Sequence, residues 1–376
     1  MWTYLKDKES RSVGILFVIN AFVFANWAVR IPDVKYFLQI NDAQLGLALL
    51  ASPIGVILFT PFTTIGMNRL GTGKVAIIGG VLMCIATVCL ALPQSYGQLV
   101  LALFFFGVAN GVFDISMNGV ASAIEKNRNR VIMSTTHGFW SLGAMIASFL
   151  AGYVAGYGIH YFAHFAGTAI LALLVIFSVF PVIWPQKDFA ESKLKLVWPG
   201  STLMVLIIIV LLVFMVEGGI ADWTALFYEG ILNSPKNYLG FGFGAFSAAM
   251  AIGRFGGDRI LSKYRPKKIL IISQLLAFAG LLLFAQGYSI LICTLALVLA
   301  GFACAVLVPL VFREAGASRY VTPSMGLALV SSIGYAGFLI GPPIIGLVAE
   351  EYGLRYSFVF LSGMLLIGVL LAFRIK

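Results

Sequence analysis

The chain has 376 residues, of which 60% are hydrophobic and only 11% are charged, and its mean hydropathy is +0.99. Soluble domains carry about 25% charged residues, so this composition excludes a soluble enzyme or binding module and indicates an integral membrane protein. The net charge of +10 does not indicate a nucleic-acid partner, because the basic residues are concentrated in alternate segments between the apolar stretches.

Twelve predominantly apolar stretches are long enough to cross a bilayer, which takes about 20 residues in a helix. The predicted spans are 13–32, 43–66, 75–93, 98–122, 132–157, 161–184, 201–223, 238–256, 269–287, 289–312, 324–348 and 354–373. The sequence therefore predicts an all-α integral membrane fold of twelve transmembrane helices. Six form an N-terminal bundle (1–184) and six a C-terminal bundle (201–376), with the polar segment 185–200 as a cytoplasmic linker.

The basic residues orient this topology. With both termini in the cytoplasm, 20 of the 25 Lys and Arg residues fall in cytoplasmic segments. Positive charge is enriched on the cytoplasmic side of membrane proteins. The sequence therefore predicts a multi-pass protein of the cell membrane, a bacterial inner membrane, with both termini inside.

The two halves of the chain repeat each other at an offset of 194 residues. Gly46 returns as Gly240, and Gly152 returns as Gly346. Near the start of each half the offset is 196, so that Trp27 corresponds to Trp223. Internal duplication of a membrane unit is how many transporters achieve alternating access, with the substrate site between the two copies.

Several short motifs carry a family resemblance. The loop after the second span reads NRLGTGK over 68–74, and the loop after the eighth span reads GDRILSKYRPKK over 257–268. Glycine followed by basic residues at these two places, in a chain of two six-helix halves, resembles the major facilitator superfamily of secondary transporters. Further motifs are WAVRIP at 27–32, LGLAL at 45–49, NGVFDISMN at 110–118, HGFWSLG at 137–143 and EGGIADWTAL at 217–226.

Within that superfamily the motifs are most similar to the YbjJ-like group, near the fucose-permease-like branch. The resemblance covers essentially the whole chain. It implies the major facilitator fold, with a central cavity lined by the first, fourth, seventh and tenth spans.

A polar stripe lies on the fourth span. Asn110, Asp114 and Asn118 are spaced four residues apart, so they share one face of the helix. The repeat counterparts of Asp114 and Asn118 are Val308 and Phe312, which means that the architecture does not require polar residues there. We interpret Asp114 as a proton-coupling group and the two asparagines as substrate contacts. A buried network that ties the fourth span to the fifth is the alternative.

Two further titratable residues are candidates for proton coupling. A charge at the centre of a membrane helix costs about 2.5–3.5 kcal/mol on insertion scales, so such residues usually have a function. His137 lies at a depth similar to that of Asp114, and the two could form a titrating pair or a structural hydrogen bond. Glu217, whose repeat counterpart is Ala21, is either a proton or substrate group, or a protonated carboxyl bonded to a neighbouring helix.

The outer ends of the first and seventh spans carry the candidate gate. Arg30 and Asp222 are expected to form a salt bridge there, with Trp223 beside it. The alternative for Arg30 is a side chain that extends to the lipid headgroups.

Four more residues are candidate substrate contacts. Asn26 offers hydrogen bonds, and stacking faces come from Trp27, Trp140 and Tyr335. Trp27 and Trp223 could instead belong to the aromatic belt at the membrane surface.

These observations predict a secondary active transporter that moves a small polar organic molecule by alternating access, coupled to protons. A proton-driven exporter of drugs or amphiphilic compounds is the alternative, and a membrane receptor or scaffold is a third possibility. The expected partners are the small-molecule substrate, protons and the lipid bilayer, with no nucleic acid, and we expect a monomer. The sequence has no Walker loop, zinc motif or nucleophile triad, so no enzyme activity, cofactor or metal is expected.

Overall fold

The computed structural model describes residues 2–187, 200–318, 321 and 323–375. The described chain is helical, because backbone polar groups in a bilayer must be satisfied within the structure itself. The helices are α1 Trp2–Lys6, α2 Lys8–Phe37, α3 Asp42–Leu49, α4 Ala51–Leu70, α5 Thr72–Cys89, α6 Tyr96–Arg128, α7 Met133–Gly156, α8 Tyr161–Ile183, α9 Ser201–Gly230, α10 Phe241–Lys263, α11 Pro266–Gln286, α12 Ile290–Cys304, α13 Leu307–Gly316, α14 Pro323–Gly334, α15 Ala336–Tyr352 and α16 Leu354–Ala372, with a 3-10 turn at Lys236–Tyr238.

Each of the twelve predicted spans is helical. Within the described residues, eleven helical stretches are long and apolar enough to cross a membrane. The remaining span is the eighth, α10, whose mean hydropathy is lowered by its glycines and by charged residues near its end. Three spans are interrupted: the second is α3 with α4, the tenth is α12 with α13, and the eleventh is α14 with α15. Residues 188–199 of the predicted linker lie outside the described residues.

Helix caps repeat between the two halves. Ser95 accepts a hydrogen bond from the backbone N–H of Gln98 at the start of α6, and Ser289 accepts one from Ile292 at the start of α12. These two serines are repeat equivalents, 194 residues apart. A serine at this position satisfies one of the backbone donors that a helix leaves free at its first turn. The fourth and tenth spans therefore begin in the same way.

Helix contacts divide the spans into two groups. In the first half, α2 packs on α7 and α8, and α6 packs on α4 and α5. In the second half, α11 packs on α12 and α16, and α9 packs on α15 and α16. The halves meet along α7 with α10, α3 with α15, and α2 with α9.

The two membrane faces are named here from the direction of α2. The N-terminal face is the one at which α2 begins, and the opposite face is the one at which it ends. Successive spans alternate in direction, so α6 ends and α7 begins at the N-terminal face. The 3-10 turn at Lys236–Tyr238 and the start of α10 then lie at the opposite face.

Glycines bring the two halves together at the opposite face. A Cβ atom on Gly46 of α3 would lie 2.6 Å from the Pro342 carbonyl oxygen and 3.0 Å from the Gly346 Cα of α15. A Cβ atom on Gly152 of α7 would lie 2.9 Å from the Gly240 nitrogen. Small residues allow such close approach of backbones in membranes. The two contacts are equivalent under the repeat, so this glycine seal, Gly46 with Gly346 and Gly152 with Gly240, closes the opposite face symmetrically.

Enlarging the seal is expected to open that face. In Gly346→Leu the added side chain has only backbone of the other half to move against, so the halves must separate. Spin labels at positions 36 and 352, in a cysteine-free background, should report a longer distance by pulsed electron paramagnetic resonance. Gly363→Leu is the matched control, because a Cβ there meets no atom within 4 Å. Equal distances in the two variants would contradict the seal.

Candidate functional site

A buried asparagine connects three spans at the centre of the first half. Asn20 of α2 donates from Nδ2 to Asn110 Oδ1 of α6 at 3.0 Å, and its Oδ1 accepts from Trp140 Nε1 of α7 at 2.9 Å. Asn20 is only 2% exposed, whereas Asn110 and Trp140 are half-buried. These three residues are called the Asn20 cluster below.

Sequence reasoning selected Asn110 and Trp140 but missed Asn20. The criterion that identified Asp114, a polar residue with an apolar repeat counterpart, also applies to Asn20. At the offset of 196, Asn20 corresponds to Val216. A polar residue whose counterpart is apolar is not required by the repeated scaffold.

The acid of the fourth span is bonded along its own helix and has a neighbour across the interface. Asn118 Nδ2 donates to the Asp114 carbonyl oxygen at 2.9 Å and to Asp114 Oδ1 at 3.3 Å. The hydroxyl of Tyr335, from the other half, lies close to the Asp114 carboxylate. Tyr335 sits at the break between α14 and α15, midway along the eleventh span, and yet its side chain is 44% exposed. It therefore lines open space between the halves.

A second acid lies beside a buried arginine. The guanidinium of Arg254 on α10 approaches Glu217 Oε2 of α9 at 3.9 Å. The same guanidinium crosses to the first half, where it donates to Ser141 Oγ at 2.8 Å and to the His137 carbonyl at 3.2 Å. The other carboxylate oxygen of Glu217 is buried without a hydrogen-bond partner within the described residues. The predicted span 238–256 puts Arg254 near a helix end, but α10 continues for nine residues beyond it, to Lys263.

The pair expected between Asp114 and His137 is not formed. Within the described residues the His137 imidazole makes no hydrogen bond, and its ring lies edge-on to Phe17 at 5.2 Å between centroids. Only its backbone carbonyl is engaged, by Arg254 and by Ser141. Equal depth in the membrane did not suffice, because Asn118 is bonded to the Asp114 carboxylate and Tyr335 lies close to it.

Two predicted substrate contacts are placed in the packed interior instead. Asn26 is fully buried and donates to the Phe22 carbonyl of its own helix at 2.8 Å. Trp27 is 2% exposed and packs between Phe106 and Phe165. Six residues turn a helix by about 240°, so Asn26 faces away from the side of α2 that carries Asn20. Trp223, expected at the gate, is likewise fully buried.

The gate at the opposite face uses a different acid from the one expected. Arg30 pairs with Asp33 at 2.7 Å, and its Nε donates to His164 Nδ1 at 3.0 Å. Asp33 in turn accepts from Lys236 of the other half at 2.7 Å. Asp222 forms no ion pair within the described part of the chain. The expectation of an Arg30–Asp222 bridge was wrong because Asp33, one turn beyond Arg30, is the nearer partner.

A second polar contact joins the halves at the same face. The Asp42 backbone N–H donates to Glu350 Oε2 at 3.0 Å, while its carboxylate pairs with Lys35 at 2.5 Å. The Asp33–Lys236 pair and the Asp42–Glu350 contact therefore lie beside the glycine seal. The opposite face is closed by backbone packing and by charge together.

Comparison with known proteins identifies the family. A family model described as Major Facilitator Superfamily matches residues 13–318. The chain belongs to the major facilitator superfamily. Among its relatives, the membrane protein MosC of Rhizobium meliloti is 32% identical over 364 residues, covering 96% of this chain and 88% of that protein. An uncharacterised MFS-type transporter of Yersinia pestis is 28% identical over 347 residues, covering 92% and 90%.

Solved structures of this superfamily share the fold. The nucleoside transporter NupG superposes with a TM-score of 0.74 at 15% identity, covering 98% of this chain and 98% of that one. A bacterial homologue of the lysosomal transporter Spinster, in an inward-facing and occupied conformation, gives a TM-score of 0.76 at 16% identity, covering 96% and 95%. The predicted major facilitator fold is confirmed, and the chain is a multi-pass membrane transporter rather than an enzyme. The YbjJ-like grouping stays a prediction.

Removing the acid of the gate should destabilise this superfamily member. Asp33→Asn leaves the Arg30 guanidinium, 3% exposed, without its carboxylate. Breaking one partner of a buried pair costs about 3 kcal/mol or more. The thermal denaturation midpoint in detergent should therefore fall. Glu351→Gln, an exposed acid at the same face, should leave it unchanged, and equal midpoints would rule out a latch at Asp33.

Proposed function

We propose that the chain is a proton-coupled secondary active transporter that moves a small polar organic molecule across the cell membrane by alternating access. The observation that carries the proposal is the placement of two membrane-embedded acids beside contacts between the halves. Asp114 lies close to Tyr335, and Glu217 lies beside Arg254, which bonds to Ser141. A proton on either acid changes a group that lies next to the moving interface.

The arrangement of contacts suggests how a proton could bias the two access states. Arg254 is shared between Glu217 of its own half and Ser141 of the other half. Protonation of Glu217 removes the charge that competes for the guanidinium. An equilibrium between two conformations shifts only if a ligand, here the proton, interacts differently with each of them. A shared arginine provides such a difference.

Alternating access is supported by the asymmetry between the two faces. The glycine seal and the Asp33–Lys236 pair close the opposite face. The exposed Tyr335, by contrast, lies deep in the eleventh span. We propose that the central space opens to the N-terminal face, and that bundles 1–184 and 201–376, joined by 185–200, rock about it. The protein would work as a monomer, since each chain holds both bundles.

The side chains around the central space favour a polar substrate. Asn110, Asn118 and His137 provide hydrogen-bonding groups, and the Trp140 ring provides an apolar face. An exporter of amphiphiles is expected to have a more uniformly apolar lining. The polar groups therefore favour transport of a small polar molecule over drug export.

The charge pattern supports an orientation of the chain in the membrane. Lys and Arg are concentrated in the segments at the N-terminal face, which we assign to the cytoplasm. Green fluorescent protein fused after Lys376 should fluoresce in bacterial cells, and alkaline phosphatase at the same position should be inactive. The opposite result for both reporters would reverse the orientation and the direction of opening.

Neutralising the acids should separate transport from proton movement. In proteoliposomes with an internal pH dye, a panel of sugars, nucleosides, amino acids and polyols is screened for compounds that drive proton flux. For an active compound, Asp114→Asn and Glu217→Gln should each abolish proton-driven accumulation. Exchange of labelled for unlabelled compound needs no net proton movement, so it should persist and show that the variants are folded.

Two results would contradict the assigned coupling. Accumulation that survives both substitutions would mean that neither acid carries the proton. Accumulation that follows a sodium gradient instead of a pH gradient would replace proton coupling with sodium coupling.

A further inference from the structure

The orientation of the Asn20 amide is fixed by chemistry. An indole nitrogen only donates hydrogen bonds, so the Asn20 atom at 2.9 Å from Trp140 Nε1 must be the carbonyl oxygen. The amide nitrogen of Asn20 is then the atom that points to Asn110 at 3.0 Å. Because an amide nitrogen only donates, the Asn110 atom that receives it must be its oxygen. One indole therefore determines the orientation of two amides in sequence.

The consequence appears at Asn110. Its oxygen is occupied by Asn20, so its amide nitrogen is the atom left for other partners. Within the described residues that nitrogen makes no hydrogen bond, and it is not among the buried polar atoms that lack one. It is therefore not fully buried, and it lies on the face of α6 that also carries Asp114. Asn110 therefore presents a hydrogen-bond donor, and the nearest acceptors on the same face of α6 belong to Asp114 and Asn118, one and two turns further along.

An aromatic wall lies beside this donor. Trp140 is held by its edge at Asn20 and is half-buried, and its ring lies 6.3 Å from that of Phe24. Phe24 is one helical turn beyond Asn20 on the same face of α2. It meets Phe243 of the other half edge-on at 6.4 Å. Aromatic faces of this kind accept the apolar face of a ring.

We propose that Asn20 is a positioning residue that builds a ring subsite with one oriented donor on the first half. The subsite would take a neutral ring compound that carries a hydrogen-bond acceptor oxygen on its edge, such as a pyranoside or a pyrimidine nucleoside. The ring packs on Trp140, and its oxygen accepts from Asn110 Nδ2. Asn20 does not touch the ligand and acts by fixing both groups. This inference rests on the proposed transport function and specifies the substrate class.

Binding is tested on the purified full chain in lipid nanodiscs. The probes are methyl β-D-galactopyranoside and uridine, which separate the pyranoside and nucleoside arms. At least one should change the intrinsic tryptophan fluorescence, and the change should be absent in Trp140→Phe. If neither probe binds, the ring subsite is wrong. If neither probe binds but a compound without a ring drives proton flux in proteoliposomes, the ring subsite is wrong and the transport proposal is retained. If a probe binds but no compound drives proton flux, the transport proposal is wrong and the ring subsite is retained.

Two variants of Asn20 separate positioning from general packing. Both are followed by the indole ¹⁵N–¹H signal of Trp140, which is assigned with Trp140→Phe. Asn20→Leu should move that signal and weaken probe binding about tenfold, as expected for the loss of an oriented hydrogen bond. Asn20→Asp keeps an acceptor for the indole, so the signal should stay near its position. Asp cannot donate to Asn110, however, so the Asn110 amide must turn its oxygen outward, and probe binding should still weaken.

The control removes a buried amide elsewhere. Gln274 of α11 is fully buried and donates to the Leu270 carbonyl of its own helix. Gln274→Leu should change neither the Trp140 signal nor probe binding. Two results would overturn the inference: binding by Asn20→Asp equal to that of the unmodified chain, or a Trp140 signal that does not move in Asn20→Leu.

Discussion

Close packing of glycine against backbone is the interaction on which this structure depends. Lipid tails are as apolar as leucine, so apolar side chains alone do not drive membrane helices together. Here a Cβ on Gly107 would overlap Ser52, and a Cβ on Gly301 would overlap Phe246. Each of these two pairs is the repeat equivalent of the other, as are the two contacts of the glycine seal. Repeat-equivalent glycines therefore lie at repeat-equivalent helix contacts, both within the halves and between them.

That symmetry explains why the polar residues can be asymmetric. Because close packing at the glycines already holds the helices together, the helix arrangement does not depend on the buried polar groups. Each buried polar group must still be hydrogen-bonded. Asn20 finds Trp140 and Asn110, and Arg254 finds Ser141 and Glu217. Across the described residues, neither cluster has a copy in the other half. The helix scaffold is present in two copies, whereas each polar cluster at its centre is present in one.

Sequence alone reaches the fold but only part of the site. The first span was predicted at 13–32 and is Lys8–Phe37, because apolar length determines membrane crossing. The depth of a residue follows as directly, but depth alone did not give the neighbour of Asp114, which is Tyr335 of the other half and not His137. The partner of a side chain cannot be predicted in the same way, since it depends on the rotation of the helix about its axis and on which group lies nearest. Asn26 was assigned to the wrong face of α2 for that reason, and Arg30 to the wrong acid.

One helix connects the site to the gate. Asn20 and Asp33 lie on α2, 13 residues and so about 20 Å apart. Asp33 holds Lys236 of the other half at the opposite face, while Asn20 orients the groups that would face the substrate. A continuous helix transmits a tilt over that distance without a chain of side-chain rearrangements. Opening of the opposite face would break the Asp33 contact and move Asn20, Asn110 and Trp140 as one body. This arrangement gives a mechanical reason for the asymmetry between the halves. A ring subsite built on one bundle moves as a rigid part of that bundle, and the surroundings of the acids at the interface change with the relative position of the two bundles.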